Sequence, residues 1–483
     1  MPKLFPILQE VITFVKDWLR SRDRESMMQG LPAALSVGVL VTVLALTFTR
    51  SSSALAEKYL RAGQQAWAAG QLDAADLYYR KSLSAQPDAK ATLIEAVRLA
   101  NERGNTKQRD AFLGRLKREY AYPEAFLMSA VFLLQSKMPL EASKMDEAEA
   151  MLEQALALDE ALKAQPSVSQ VRRQLSAASR SVGNLAKARV HLENLMAPSS
   201  IDRLEMASIA KQAEDKGQAA KLANEVLAEL ETSSSHTFRS LIDRAQAHAI
   251  LDRASAASPF LNRARQVATT AEEVNAWATA TLWCFEELWR GDLAHPPFIL
   301  LEQVLAEAPL HGSLAALLVR LSGWGAEEVR LPLTTLENAF ATGEALVTAH
   351  LLLGLHALRT EDEPSASGKS ALHFGIAGTL SAPSSLALSR CSLVVAQQDP
   401  AFMPKALSLS QVALDLAKQH PYALEIRSHL LGANGLWQDV VDLLTPVAKS
   451  EQPALLNLLA TAHEKLGDKK LEESYRPHIK KSS

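Results

Sequence analysis

The chain reads as an all-α protein, a repeated helical hairpin following one membrane-crossing helix. Three observations lead there. Apolar residues make up 48% of the sequence and aromatics only 6%, a balance carried by Ala and Leu, which favour helix, and short of the β-branched and aromatic runs of strands. Turn glycines recur at a nearly constant interval. A run without a charged side chain, Ser26 to Thr49, stands near the amino terminus.

The first 30 residues form an amphipathic segment. Leu4, Leu8, Val11, Ile12, Val15, Trp18 and Leu19 share one helical face, with Gln9, Glu10, Thr13, Lys16, Asp17 and Arg20 opposite. That pattern suits a helix lying in a membrane interface or one packed on another protein. Residues 31–49 are the expected transmembrane helix. The charge-free run reaches roughly 36 Å at about 1.5 Å per residue, against a hydrocarbon core of about 30 Å. Pro32 falls in its first turn, where a missing N–H is tolerated. Lys3, Lys16, Arg20, Arg22 and Arg24 precede the run, and Arg50, Lys58 and Arg61 follow it. This basic excess predicts an inside amino terminus. The expectation is thus a single-pass protein of the plasma (inner) membrane, its carboxy-terminal domain outside the cytoplasm. A cleaved secretory signal is the competing reading, because Ala54-Leu55-Ala56 has the small-x-small form of a cleavage site.

Residues 50–55 read as a linker and 56–483 as the repeat domain. Gly70-Gln71-Leu72-Asp73-Ala74-Ala75 recurs in form as Gly183-Asn184-Leu185-Ala186-Lys187-Ala188, each followed four residues on by a bulky residue, Tyr79 or Leu192. Gly217 with Leu222 and Val226, Asp252 with Ala257 and Leu261, and Gly435 with Val440 and Leu444 fit the same spacing. Gly70 to Gly104, Gly183 to Gly217 and Gly291 to Gly325 are each 34 residues, and Gly217 to Asp252 is 35. Longer steps intervene near Ser136 to Lys144, and from Glu361 to Asp399 two faint units are assumed. Counting turns predicts about 11–12 helical pairs.

This period and these residue types resemble the tetratricopeptide repeat (TPR) family, in the form of a membrane-anchored bacterial-type protein. The resemblance is carried by Tyr59, Gly63, Gly70, Ala75, Tyr79 and Pro87, and again by Gly183, Ala188 and Leu192. These stand where the family places an aromatic, a small residue, the turn, a small residue, a bulky residue and a closing proline. Gly63 and Ala75 let two helices approach, Tyr79 fills the space between pairs, and Pro87 stops the second helix. The match covers nearly all of Ala56 to Tyr475, more weakly from Gly291 to Pro404. It implies an α-solenoid, a right-handed superhelix whose first helices line a concave groove, each pair lending its neighbour a core. The segment from Lys469 onward reads as a polar capping helix.

Chemistry-bearing patterns fall short of a site. Basic and acidic side chains number 51 and 54, a net charge of -3, which offers no positive field for nucleic acid. Cys284 and Cys391 lie far apart in apolar surroundings and read as buried thiols. Ser367-Gly368-Lys369-Ser370 has the end of a phosphate-binding loop, but Glu363 stands where the first glycine is required. His350 and His356 are six apart, and His295, His311, His420 and His429 stand singly, so no metal set forms. Trp277, Trp283, Trp289 and Phe285 read as core packing, with groove anchors as the alternative. No enzyme activity, cofactor or metal is expected. Protein or peptide partners in the concave groove, and the membrane through residues 31–49, are. The function this implies is a scaffold in a cell-envelope or export assembly; the alternatives are a glycan-contacting polysaccharide assembly factor, favoured by exposed aromatics, and a cryptic enzyme.

Overall fold

The computed structural model describes residues 52–135, 142–232, 237–324, 330–343, 346–360, 364–448 and 452–479, with Thr13, Lys16, Asp17, Ser36, Gly38, Val39 and Thr42 ahead of them. Among these it is all-helical, with 24 helices. They fall into two compact units, Met1–Gly183 and Asn184–Ser483.

The first unit holds α1 (52–68), α2 (Leu72–Ala85), α3 (Lys90–Glu102), α4 (Thr106–Tyr120), α5 (Pro123–Leu134), α6 (Ala142–Leu158) and α7 (Pro166–Ser181). The second begins with α8 (Leu185–Glu193), α9 (Ser200–Gln212), α10 (Lys216–Thr232), α11 (Phe238–Ile250), α12 (Ala254–Val267), α13 (Ala271–Gly291) and α14 (Phe298–Glu307). It continues with α15 (Gly312–Val319), α16 (Leu333–Thr342), α17 (Leu346–Thr360), α18 (Pro364–Leu380), α19 (Pro383–Gln398) and α20 (Met403–Leu416). Last come α21 (Pro421–Ala433), α22 (Trp437–Leu444), α23 (Pro453–Leu466) and α24 (Lys469–Ile479).

One local device ends the first helix of a hairpin and starts the second. A residue at positive φ turns the chain, and the next amide reaches back to the carbonyl five residues earlier, which satisfies the helix end. This bond joins Gln71 to Ala66, Asn105 to Ala100, Asp215 to Ala210, Arg253 to His248, Leu436 to Leu431 and Asp468 to His463, at 2.8–2.9 Å. Asn105, Asn184 and Asp215 then cap the new helix through Gln108, Lys187 and Gln218 amides. The residues at positive φ are Gly70, Gly104, Gly435 and Gly467, but also Glu214 (φ 64°) and Asp252 (φ 56°).

This corrects the repeat frame read from glycines. Gly217 lies within the first turn of α10, and Glu214 makes the turn ahead of it, so buried Ala219 and Ala223 take the small and bulky positions. Gly291 ends α13 rather than making a turn, and a Cβ there would lie 2.5 Å from Asp252 Cγ. Turn spacing runs from 31 residues (Gly183 to Glu214) to 38 (Glu214 to Asp252).

The weakly matching stretch from Gly291 to Pro404 is also where regularity lapses. Helix α15 passes into a π-helical turn, Arg320–Trp324, with Gly323 at φ 91°. Helix α16 then packs on α17, and α15 packs on α19. Residues 361–399 contribute two helices, α18 to a hairpin with α17 and α19 to one with α20. Ser370, last of the phosphate-loop-like tetrapeptide, is inside α18, its hydroxyl on Gly354 O at 3.1 Å. The apolar core of this stretch is continuous from α11 to α21.

The membrane expectation does not stand. Among the described residues no helix is long and apolar enough to cross a bilayer, which takes about 20 consecutive apolar residues. This overturns the placement as a single-pass plasma-membrane protein with its carboxy-terminal domain outside the cytoplasm. Apart from the seven residues named above, the amphipathic segment, the span 31–49 and the linker up to Ser51 lie outside the described residues.

Candidate functional site

The residues that carried the repeat resemblance are packing residues here. A Cβ on Gly63 would lie 2.6 Å from Tyr79 Cδ1, so only glycine lets the Tyr79 ring close on α1. Tyr79 is 1% exposed and Ala75 fully buried. Burial, with Glu95 adding, pushes the Tyr79 phenol up to about 12. Tyr59 stacks on Tyr78 with ring centres 6.4 Å apart. The Pro87 carbonyl accepts from Arg115 at 2.8 Å, fixing α4 to the end of α2. Gly183 has φ 78°, and Ala188 and Leu192 are buried against Ile209. Gly354 and Phe374 repeat the Gly63–Tyr79 approach between α17 and α18.

The aromatic segment belongs to the core. Trp277, Phe285 and Trp289 are 1%, 0% and 4% exposed, and Trp277 Nε1 donates to Leu261 O at 3.0 Å. Trp283 packs on the cluster built by α9, α10 and α11. Beside it a polar network closes the faces of α9, α11 and α13. Buried Glu287 accepts at one oxygen from Ser208 Oγ (2.7 Å) and from Arg290 Nη1 (2.6 Å). Lys211 Nζ reaches Asp252 Oδ1 at 2.6 Å and the Glu287 carbonyl at 3.0 Å. These faces are filled by the chain's own side chains.

Open space lies elsewhere, in the first unit. A cavity of about 260 Å³ runs between α4 and α6 with α5 beneath, walled by Leu113, Phe132, Leu133 and Met151. Arg109 and Lys117, eight residues apart on α4, lie along it. The Arg109 guanidinium stands 4.5 Å over the Phe132 ring, pairs with Asp110 at 2.9 Å and donates to Asn101 at 3.2 Å. Burial lowers the Lys117 ammonium from its ordinary range, while the Glu147 and Asp110 carboxylates push it back up. Both carboxylates are exposed, one on each bank. The Ser129 hydroxyl lines the floor, bonded to Ala125 O at 2.8 Å. The combination offers an apolar, side-chain-sized slot with charges of both signs around it.

Sequence reasoning missed this slot. Its signal was present as Arg109, Leu113 and Lys117 at four-residue spacing, one helical stripe.

Among the described residues no group of three or more His, Cys, Asp or Glu is placed to hold a metal. Cys284 and Cys391 are buried, and burial pushes both thiols up.

No family model matches the chain, and no curated protein does. Solved structures similar to it include pilF of Pseudomonas aeruginosa, at 15% identity over 47% of this chain and 99% of that one, with a TM-score of 0.34. PilW, a widely conserved type IV pilus biogenesis factor, is 15% identical over 46% of this chain and 97% of its own, with a TM-score of 0.33. The TPR domain of P58(IPK) is 13% identical over 85% of this chain and 98% of its own, with a TM-score of 0.21.

Proposed function

We propose that the chain, an all-α array of tetratricopeptide-type hairpins, is a scaffold that holds protein partners, and that the slot between α4 and α6 is one place where it holds them. The observation that supports this is the slot itself. Its apolar walls and exposed Asp110 and Glu147 suit a side chain of a docked polypeptide with basic neighbours. The aromatic segment of α13 gives most of its rings to the core, so that segment does not supply the exposed rings the glycan reading calls for.

The test uses the full chain carrying Asp110→Lys and Glu147→Lys. Both side chains are exposed, so helicity is expected to match wild type. Proteins retained by wild type in a pull-down and lost selectively by this variant support the slot as a docking site. Identical retention by the two places binding elsewhere.

A further inference from the structure

The slot holds one group that protein docking leaves unused. Lys117 enters it from α4 with its ammonium 5.9 Å from the centre of the Phe126 ring. Glu147 and Asp110 act on it through their charge, from opposite banks. We propose that Lys117 is a nucleophilic lysine that captures small neutral aldehydes as imines inside the slot.

Three features support this. An amine attacks a carbonyl only when neutral, and partial burial among Leu113, Phe132 and Met151 disfavours the charged form. The shift in Lys117 agrees in direction, burial being its largest cause. A cavity of about 260 Å³ admits an aldehyde of a few carbons. Asp110 is paired with Arg109, so the Glu147 carboxylate is what tips the slot's charge against anions and favours uncharged carbonyl compounds.

The step balances without an oxidant. The Nζ lone pair attacks the carbonyl carbon, a C–N bond forms, and one proton passes through water from nitrogen to the carbonyl oxygen to give a carbinolamine. A second proton, taken from water, turns the hydroxyl into a departing water as the C=N bond forms, and the iminium nitrogen gives its remaining proton back to water. Amine and aldehyde thus become imine and water.

The experiment treats the full chain with glycolaldehyde and cyanoborohydride, whose hydride fixes any imine as a secondary amine, and measures each lysine by peptide mass spectrometry. Lys117 is expected to label several-fold faster at pH 7 than Lys107, an exposed residue on the same helix. Glu147→Gln removes a charge that favours the ammonium and is expected to speed Lys117 further, leaving Lys107 unchanged. Anionic glyoxylate is expected to lose the preference for Lys117. Equal labelling of the two lysines, or no response of Lys117 to Glu147→Gln, overturns the proposal. Neither result depends on protein capture, which the Asp110→Lys and Glu147→Lys variant tests by itself.

Discussion

The Ser208 hydroxyl donates to Glu287 Oε1 across 2.7 Å, tying α9 to α13 although α11 stands between them in sequence and packs on both. Such a reach needs a slim intermediary. Helix α11 supplies Ala245, Ala247 and Ala249, all fully buried.

Removing this tie is expected to destabilise the second unit. Ser208→Ala should cost about 1 kcal/mol as a lost buried hydrogen bond. Glu287→Ala should cost about 2–3 kcal/mol, since its ion pair with Arg290 is lost together with the Ser208 hydrogen bond. In a double-mutant cycle read by urea unfolding, a coupling near 1 kcal/mol is expected. Strict additivity would show that the two side chains act independently.

Glycines of one type should answer oppositely to one substitution. Gly63→Ala drives a methyl into the Tyr79 ring and is expected to cost about 1–3 kcal/mol. Gly375→Ala, in α18 with nothing within 4 Å of the added carbon, is expected to stabilise by about 0.5–1 kcal/mol. Thermal melts of the two variants give the comparison.

Glu214→Gly should raise stability by about 0.5–1 kcal/mol, because Glu214 occupies a left-handed conformation that glycine adopts freely. The increase appears as a higher midpoint in urea. A lower midpoint would mean that the Glu214 side chain contributes more than its backbone costs.

That residue also shows how much was legible. Hairpin period, the small residues at Gly63, Ala75 and Ala188 and the bulky Tyr79 are visible in sequence, because each follows from one residue's size or conformational freedom; that the Tyr79 ring closes on Gly63 within one hairpin was not. The frame at Gly217 was not. Glu214 adopts a left-handed turn held by main-chain hydrogen bonds that no residue type announces, whereas spacing alone had marked Asp252 as a turn. Neither was the slot, since Arg109, Ser129 and Glu147 meet only when three helices pack. The ring-rich stretch of α13 was legible as core; its closing of the faces of α9 and α11 depended on Glu287, unremarkable in sequence.

Acid should weaken the second unit through a pair of imidazoles. His350 Nδ1 and His373 Nδ1 share one hydrogen bond at 3.0 Å, so one ring must present a bare nitrogen. Phe340 meets His350 edge-on at 4.7 Å. Burial lowers both, and His373 lowers His350 further. Unfolded imidazoles titrate near about 6.5. Below that pH the unfolded chain binds more protons than the folded one. Stability is therefore full above about 6.5 and is lost as pH falls toward the folded values. Urea midpoints between pH 7.5 and 5.5 should fall for wild type and fall less for His373→Gln. Equal slopes would remove the pair from the acid response.

The central claim is that a protein partner sits in the slot between α4 and α6. A photo-crosslinking residue in place of Met151, which lines the slot, tests it most directly, with the same residue at exposed Leu77 of the same unit as control. Irradiation in native extract is expected to join position 151 to a discrete polypeptide that position 77 does not capture. Adding Asp110→Lys and Glu147→Lys should abolish that product. Crosslinks from position 77 alone, or a product at 151 that survives those substitutions, would contradict the account.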